Sequence, residues 1–140
     1  MGRKTAREVR PLTAYLLDTH AAIWWWTASS RLGATAASVI SSEDASIFFS
    51  AASVWEIAIK SHAGKLPEIV DFESQYGPLM QANGFRALAV TDEHALRAGF
   101  LPGEHRDPFD RLIAGQALME GMAVITRDPA IAAFGCDVLW

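Results

Sequence analysis

Carboxylates recur at one kind of place in this chain. Leu16-Leu17 runs into Asp18, and Val124-Ile125-Thr126 runs into Arg127-Asp128, so two short apolar runs each end on an aspartate. A third run, Ser46 to Ser50, leads through Ala51-Ala52-Ser53 to Glu56, an acid set among Val54, Trp55, Ile57 and Ile59. The block Asp107-Pro108-Phe109-Asp110-Arg111 adds two more acids. Taken singly, each has a local explanation. Asp18, Asp107 and Asp128 suit helix N-caps, the last two with proline in the next position. Glu56 stands one turn before Lys60, an ordinary helix ion pair. Asp110 complements a helix dipole from the third position. Taken together, Asp18, Glu56, Asp110 and Asp128 fall at equivalent edges of one expected sheet. Carboxylates that converge cannot all stay ionised without counter-charge. Divalent cations supply it: Mg²⁺ or Mn²⁺ takes one or two carboxylates and leaves positions for phosphate oxygens and an attacking water. Two such ions about 4 Å apart stabilise both oxygens of a phosphodiester being cleaved. The four histidines form no His-x-x-x-His pair and Cys136 is the single cysteine, which leaves oxygen donors for any metal. Acids with no partnering Ser–His or Cys–His pair fit metal-assisted hydrolysis better than covalent catalysis.

The elements that must position these acids alternate along the chain. Strands are expected at 14–17, 46–50, 87–90, 123–126 and 138–140. Helical spacing covers 20–27, 34–42, 53–63, 69–82, 93–100 and 109–120, with stops at Gly33, Gly64, Gly84, Pro102 and Gly121. Such alternation predicts an α/β fold: a mainly parallel sheet of about five strands between two helical layers. Sites in open sheets of this kind form beyond the carboxyl ends of the strands, where these acids stand.

Composition sets the class. The 140 residues are 51% hydrophobic and 20% charged, an ordinary single globular domain. No apolar run approaches the roughly 20 residues of a membrane span, and no signal peptide is visible. One cysteine suits a reducing cytoplasm. Arg3, Lys4, Arg7 and Arg10 against Glu8 give the first ten residues +3, so a net charge of −4 leaves −7 on the remainder. Residues 1–11 are therefore expected to be a flexible basic extension and 12–140 the folded domain. An acidic domain is a poor general nucleic-acid binder until cations neutralise it.

The blocks Leu16-Leu17-Asp18-Thr19-His20, Ser53-Val54-Trp55-Glu56-Ile57-Ala58-Ile59-Lys60 with Gly64-Lys65-Leu66, His105-Arg106-Asp107-Pro108-Phe109-Asp110-Arg111, Ile125-Thr126-Arg127-Asp128 and Val138-Leu139-Trp140 occur in this order. In order and spacing the chain resembles PIN-domain toxins of the VapC type from Leu12 to Trp140. The resemblance implies a PIN-like three-layer α/β/α domain. It implies an Mg²⁺- or Mn²⁺-dependent endoribonuclease of a toxin–antitoxin pair, cutting tRNA or rRNA by a metal-activated water. It further implies a cognate VapB-type antitoxin and a homodimer. The family's four acids fall on Asp18, Glu56, Asp110 and Asp128, as catalytic residues and metal ligands. Thr126 matches a polar position beside the fourth, and Asp107 lies near without being one of the four. The other reading within this fold is a non-catalytic module that binds RNA or protein. A haloacid-dehalogenase-type phosphatase needs Asp-x-Asp, and His20 stands at the second position. A receiver module needs an acidic pair and a later lysine, neither of which is present.

Lys60, Arg106, Arg111 and Arg127 are candidates for phosphate contact, each with a plainer reading as a solvated or ion-paired side chain. His105 reads as a surface histidine or a general acid. Trp24-Trp25-Trp26 span about 200° of a helix, so they cannot share one core stripe. They are expected either to be partly buried or to offer an interface to the antitoxin or a second copy.

Overall fold

The computed structural model describes residues 13–140, so the basic segment 1–11 lies outside the described residues. Twelve elements follow in order: β1 (Thr13–Leu17), α1 (Thr19–Trp26), α2 (Ala34–Ile40), β2 (Ala45–Ser50), α3 (Ala51–His62), α4 (Phe72–Asn83), β3 (Arg86–Leu88), α5 (Asp92–Phe100), α6 (Pro108–Glu120), β4 (Ala123–Ile125), α7 (Pro129–Ala132) and β5 (Val138–Leu139). All four strand pairings are parallel, in the order β3-β2-β1-β4-β5. The expected elements are present with boundaries shifted by a few residues. The exception is α7, a single turn that Asp128 starts by accepting the Ala130 N–H at 2.9 Å.

Period-two alternation divides the core between the two faces of the sheet. Leu17, Ile47, Phe49 and Ile125 pack in one cluster with Ala21, Ala22 and Ile23 of α1, Ile40 of α2 and Ile57 of α3. Leu16 and Val124 point the other way, into a cluster with Ile113, Ala114 and Ala117 of α6, and Phe48 and Leu88 pack against it. Leu16, Leu17, Val124 and Ile125 are fully buried, so the central pair β1–β4 is covered on both faces.

Two glycines are there for space. Gly115 of α6 lies so close to α5 that an added Cβ would stand 3.1 Å from the Ala98 backbone nitrogen. At Gly33 a Cβ would come within 2.5 Å of the Trp140 ring and 2.6 Å of its backbone carbon. Gly33→Ala must therefore push Trp140 out of place. We expect a loss of about 1–3 kcal/mol, the usual cost of overpacking, measurable by urea unfolding.

The strand order puts consecutive connections on opposite sides of β1. From β1 the chain moves to β2 and β3, then returns to pair β4 on the other side. The carboxyl ends of β1 and β4 therefore flank the crevice where open α/β sheets hold their ligands.

Candidate active site

Register sets the geometry of this crevice. Leu17 pairs with Ile125, and the Asp18 N–H donates to the Ile125 carbonyl at 3.1 Å. Asp18 thus leaves β1 level with the end of β4. Its carboxylate accepts the Thr126 hydroxyl at 2.8 Å, and that same hydroxyl oxygen accepts the Asp128 N–H at 3.0 Å. Asp18 is 8% exposed and Thr126 is 1% exposed. Burial is the main force on Asp18 and raises its pKa from 3.8 to about 6. The charge of Asp110 adds to the rise, while Thr126 and His20 oppose it.

Asp110 arrives from the first turn of α6. Asp107 caps that helix by accepting the Phe109 and Asp110 N–H groups at 2.9 and 3.1 Å. Capping thus accounts for Asp107 and also aims Asp110 at the sheet edge. Burial raises the Asp110 pKa, and the charges of Asp107 and Asp128 raise it further. His105 opposes this, with Nε2 2.7 Å from Asp110 Oδ2, and its own pKa rises through the same contact. The charge of Asp110 thus reaches Asp18, and the charge of Asp128 reaches Asp110.

Glu56 reaches the site by a different route. Ser50 caps α3 by accepting the Ala52 N–H at 3.0 Å, which starts the helix directly from β2. Glu56 is 5% exposed. It accepts the Thr19 hydroxyl at 2.7 Å and the Lys60 ammonium at 2.6 Å. Thr19 follows Asp18 and also lies 2.8 Å from Ser53 Oγ. The expected pair with Lys60 is present, and through Thr19 the same carboxylate is tied to the residue after Asp18.

The edge carries carboxylate and hydroxyl oxygens, a donor set that suits a hard divalent cation. Among the described residues, no three His, Cys, Asp or Glu side chains are gathered tightly enough to hold an ion as they stand. Each acid is held by a protein partner instead: Asp18 by Thr126, Glu56 by Thr19 and Lys60, Asp110 by His105, and Asp128 by the α7 N-terminus. The site fits a hard cation in donor type, and the raised pKa values of Asp18 and Asp110 mark acids that positive charge would stabilise.

Arg111 is half-buried and makes no ion pair among the described residues. Its guanidinium donates to the backbone carbonyls of Ala98 (2.9 Å), His105 (2.8 Å) and Leu101, and lies over the Phe134 ring. Of the two readings of the tryptophan run, burial is the one the structure shows. Trp24 is 9% exposed beside Trp140, Trp25 donates to Asn83 Oδ1 at 2.8 Å, and Trp26 packs on Phe49, Phe72 and Phe85. The outward tryptophan is Trp55, 60% exposed on α3. Its neighbours Val54, Ala58, Tyr76 and Leu88 line an apolar groove of ≈ 540 Å³. Thr19 and Thr126, expected to position ligands by hydrogen bonds, each donate to one of the acids. The residues that reasoning from sequence missed are Ser53 beside Thr19, and Arg111 as a clamp on the loop carrying His105.

A family model described as PIN domain matches residues 15–135. Ribonuclease VapC22 of Mycobacterium tuberculosis is 30% identical over 118 residues, which cover 84% of this chain and 88% of that protein. The structure of VapBC2 from Rickettsia felis bound to a DNA fragment from their promoter aligns with a TM-score of 0.64 at 13% identity, over 91% of this chain and 98% of the matched one. FitAcB from Neisseria gonorrhoeae aligns with a TM-score of 0.64 at 18% identity, over 90% and 96%. Likeness at these identities concerns the fold.

Proposed function

The chain belongs to the PIN-domain family, and from that premise we propose that it is an endoribonuclease toxin of the VapC type. It hydrolyses RNA phosphodiester bonds, in tRNA or rRNA, with Mg²⁺ or Mn²⁺. The observation that carries this reading is the placement of Asp18 and the Asp128 turn at the adjoining carboxyl ends of β1 and β4, joined through the Thr126 hydroxyl, with the charge of Asp110 near enough to raise the Asp18 pKa. Asp18, Asp110 and Asp128 would hold the cation, with Glu56 joining them through Thr19. A bound divalent cation supplies positive charge to a phosphate that is gaining negative charge.

The chain's own residues do the positioning. Thr126 holds the Asp18 carboxylate in one orientation and, through the Asp128 N–H, fixes the turn that carries Asp128. Thr19 holds Glu56 from the crevice side. His105 shields Asp110 and stands at the rim with a proton to share.

No helix among the described residues is long and apolar enough to cross a membrane. The proposed setting is the cytoplasm, as a homodimer blocked by a cognate VapB-type antitoxin. The apolar groove beside Trp55 supports a protein partner, since apolar surface of that kind marks interaction sites.

The test is cleavage of purified tRNA and rRNA with Mg²⁺ or Mn²⁺, with EDTA, and with Asp110→Asn. Discrete cuts should need metal, and the variant should lose at least on the order of 100-fold in rate, beyond the usual effect of disturbing a ligand's outer partner. Cuts that survive EDTA or persist in Asp110→Asn would refute the reading.

A further inference from the structure

Asp18 and Asp128 share a cleft of ≈ 370 Å³ with aromatic and cationic side chains. That volume is within the range of about 300–1,000 Å³ typical of small-ligand sites. Asp18 and Asp128 line it together with Trp24, Trp140, His20 and Arg127. The Trp24 and Trp140 rings meet edge-to-face at 5.7 Å, and His20 lies 5.5 Å from Trp24. The Arg127 guanidinium sits 4.5 Å from the Trp24 ring centre and 6.0 Å from that of Trp140. Among the described residues Arg127 has no carboxylate within salt-bridge distance, and its side chain is exposed.

Core packing explains Trp24, which is nearly buried. It does not explain why an arginine between two acid-bearing turns is laid on aromatic faces rather than on the neighbouring carboxylates. A guanidinium resting over a ring and lacking a carboxylate partner keeps N–H groups free and forgoes little mobility on binding. Cations that track the backbone beside aromatic planes that receive bases are how single-stranded nucleic acid is held. Both lie next to the acids that would attack the phosphate.

We propose that this cleft is a nucleotide subsite. It takes one unpaired nucleotide adjoining the scissile phosphate, the base against Trp140 and His20 and a backbone phosphate on Arg127. The inference rests on the nuclease reading for the place of the scissile bond. A paired base, kept in its helix, cannot enter, so the subsite selects unpaired RNA.

The experiment measures fluorescence anisotropy of a labelled single-stranded oligoribonucleotide, and of its fully paired duplex, in Mg²⁺. The proteins carry Asp18→Asn to prevent cleavage. Arg127→Gln and Trp140→Ala should each weaken single-strand binding on the order of tenfold, the usual loss for one stacked base, with little change for the duplex. Trp140→Phe should keep most of the affinity. In the cleaving protein the same changes should raise KM more than they lower kcat, as loss of uniform binding does. Arg127 is exposed, so its variant folds whatever becomes of Trp140→Ala. Unchanged single-strand affinity in Arg127→Gln, or equal losses for strand and duplex, would overturn the subsite. If the natural chain cuts no RNA but still binds the single strand through Arg127, the subsite stands and the nuclease reading falls. Cleavage indifferent to both residues would leave the nuclease reading standing and remove the subsite.

Discussion

Asp18→Asn should melt at a higher temperature than the natural chain at pH 7 and cut no RNA. The carboxylate of Asp18 ionises near pH 6 in the fold and near 3.8 when free of it. A gap of about two pKa units corresponds to roughly 3 kcal/mol. Asparagine keeps an oxygen for the Thr126 hydroxyl and carries no charge to desolvate. Part of the gain is offset by the buried amide N–H groups, so about 2 kcal/mol should remain. The pH dependence identifies the cause. At pH values below the free carboxylate's pKa, Asp18 is protonated in both states and the two proteins should differ little. As pH rises toward 6 the unfolded chain releases this proton while the folded chain keeps it, so the natural protein loses stability and the gap widens. Above about pH 6 both states are ionised and the gap stays level. Urea unfolding in EDTA from pH 4 to 8 measures it. A gap that does not change with pH, or a variant less stable at pH 7, would contradict the account. The expected trade is that of a functional group held at the expense of stability.

The second large effect lies away from the acids. Arg111→Ala should cost about 3 kcal/mol or more, because three carbonyls lose a charged donor at once. Arg111→Lys should recover little of it. A lysine ammonium is a compact donor and cannot span the carbonyls of Ala98, Leu101 and His105 as a planar fork does. The carbonyl of His105 is one of the three, so the loss should also free His105 from Asp110. Chemical denaturation reads the first effect, and histidine titration by NMR reads the second. In the variant the His105 pKa should fall back toward that of a free histidine. A stable Arg111→Lys protein with an unchanged His105 would show that the clamp is unimportant.

The acids were legible because strand ends are legible. An apolar run that stops at Asp18 or at Asp128 announces both the strand and the edge on which its acid stands. The proline after Asp107 and the one after Asp128 announce helix starts, and both caps formed. Strand order was less legible, since parallel strands joined by helices carry no local sign of which neighbour they choose. Thr19 and Thr126 were legible as hydrogen-bonding residues at strand ends, but which acid each meets was not. Asp18 meets Thr126 across 108 positions and Thr19 meets Glu56 across 37, and no periodicity records such pairs. Arg111 looked like an outward cation because its partners are backbone carbonyls, which have no signature in a list of side chains. Trp24 was visible as an aromatic, but its neighbour Trp140 lies at the far end of the chain, and only the packing of β5 beside β4 joins them.

The distance between Asp18 and Thr126 along the chain has a consequence for synthesis. β1 is made early, yet its partner β4 and the turn bearing Asp128 are made late. Parallel pairing between such remote segments is slow to form and cannot begin before both exist. A nascent chain that ends before β4 therefore carries Asp18, Glu56 and Asp110 but neither Asp128 nor the β1–β4 edge. The site is completed only by the last elements to be made, so a product truncated before β4 should not cut RNA.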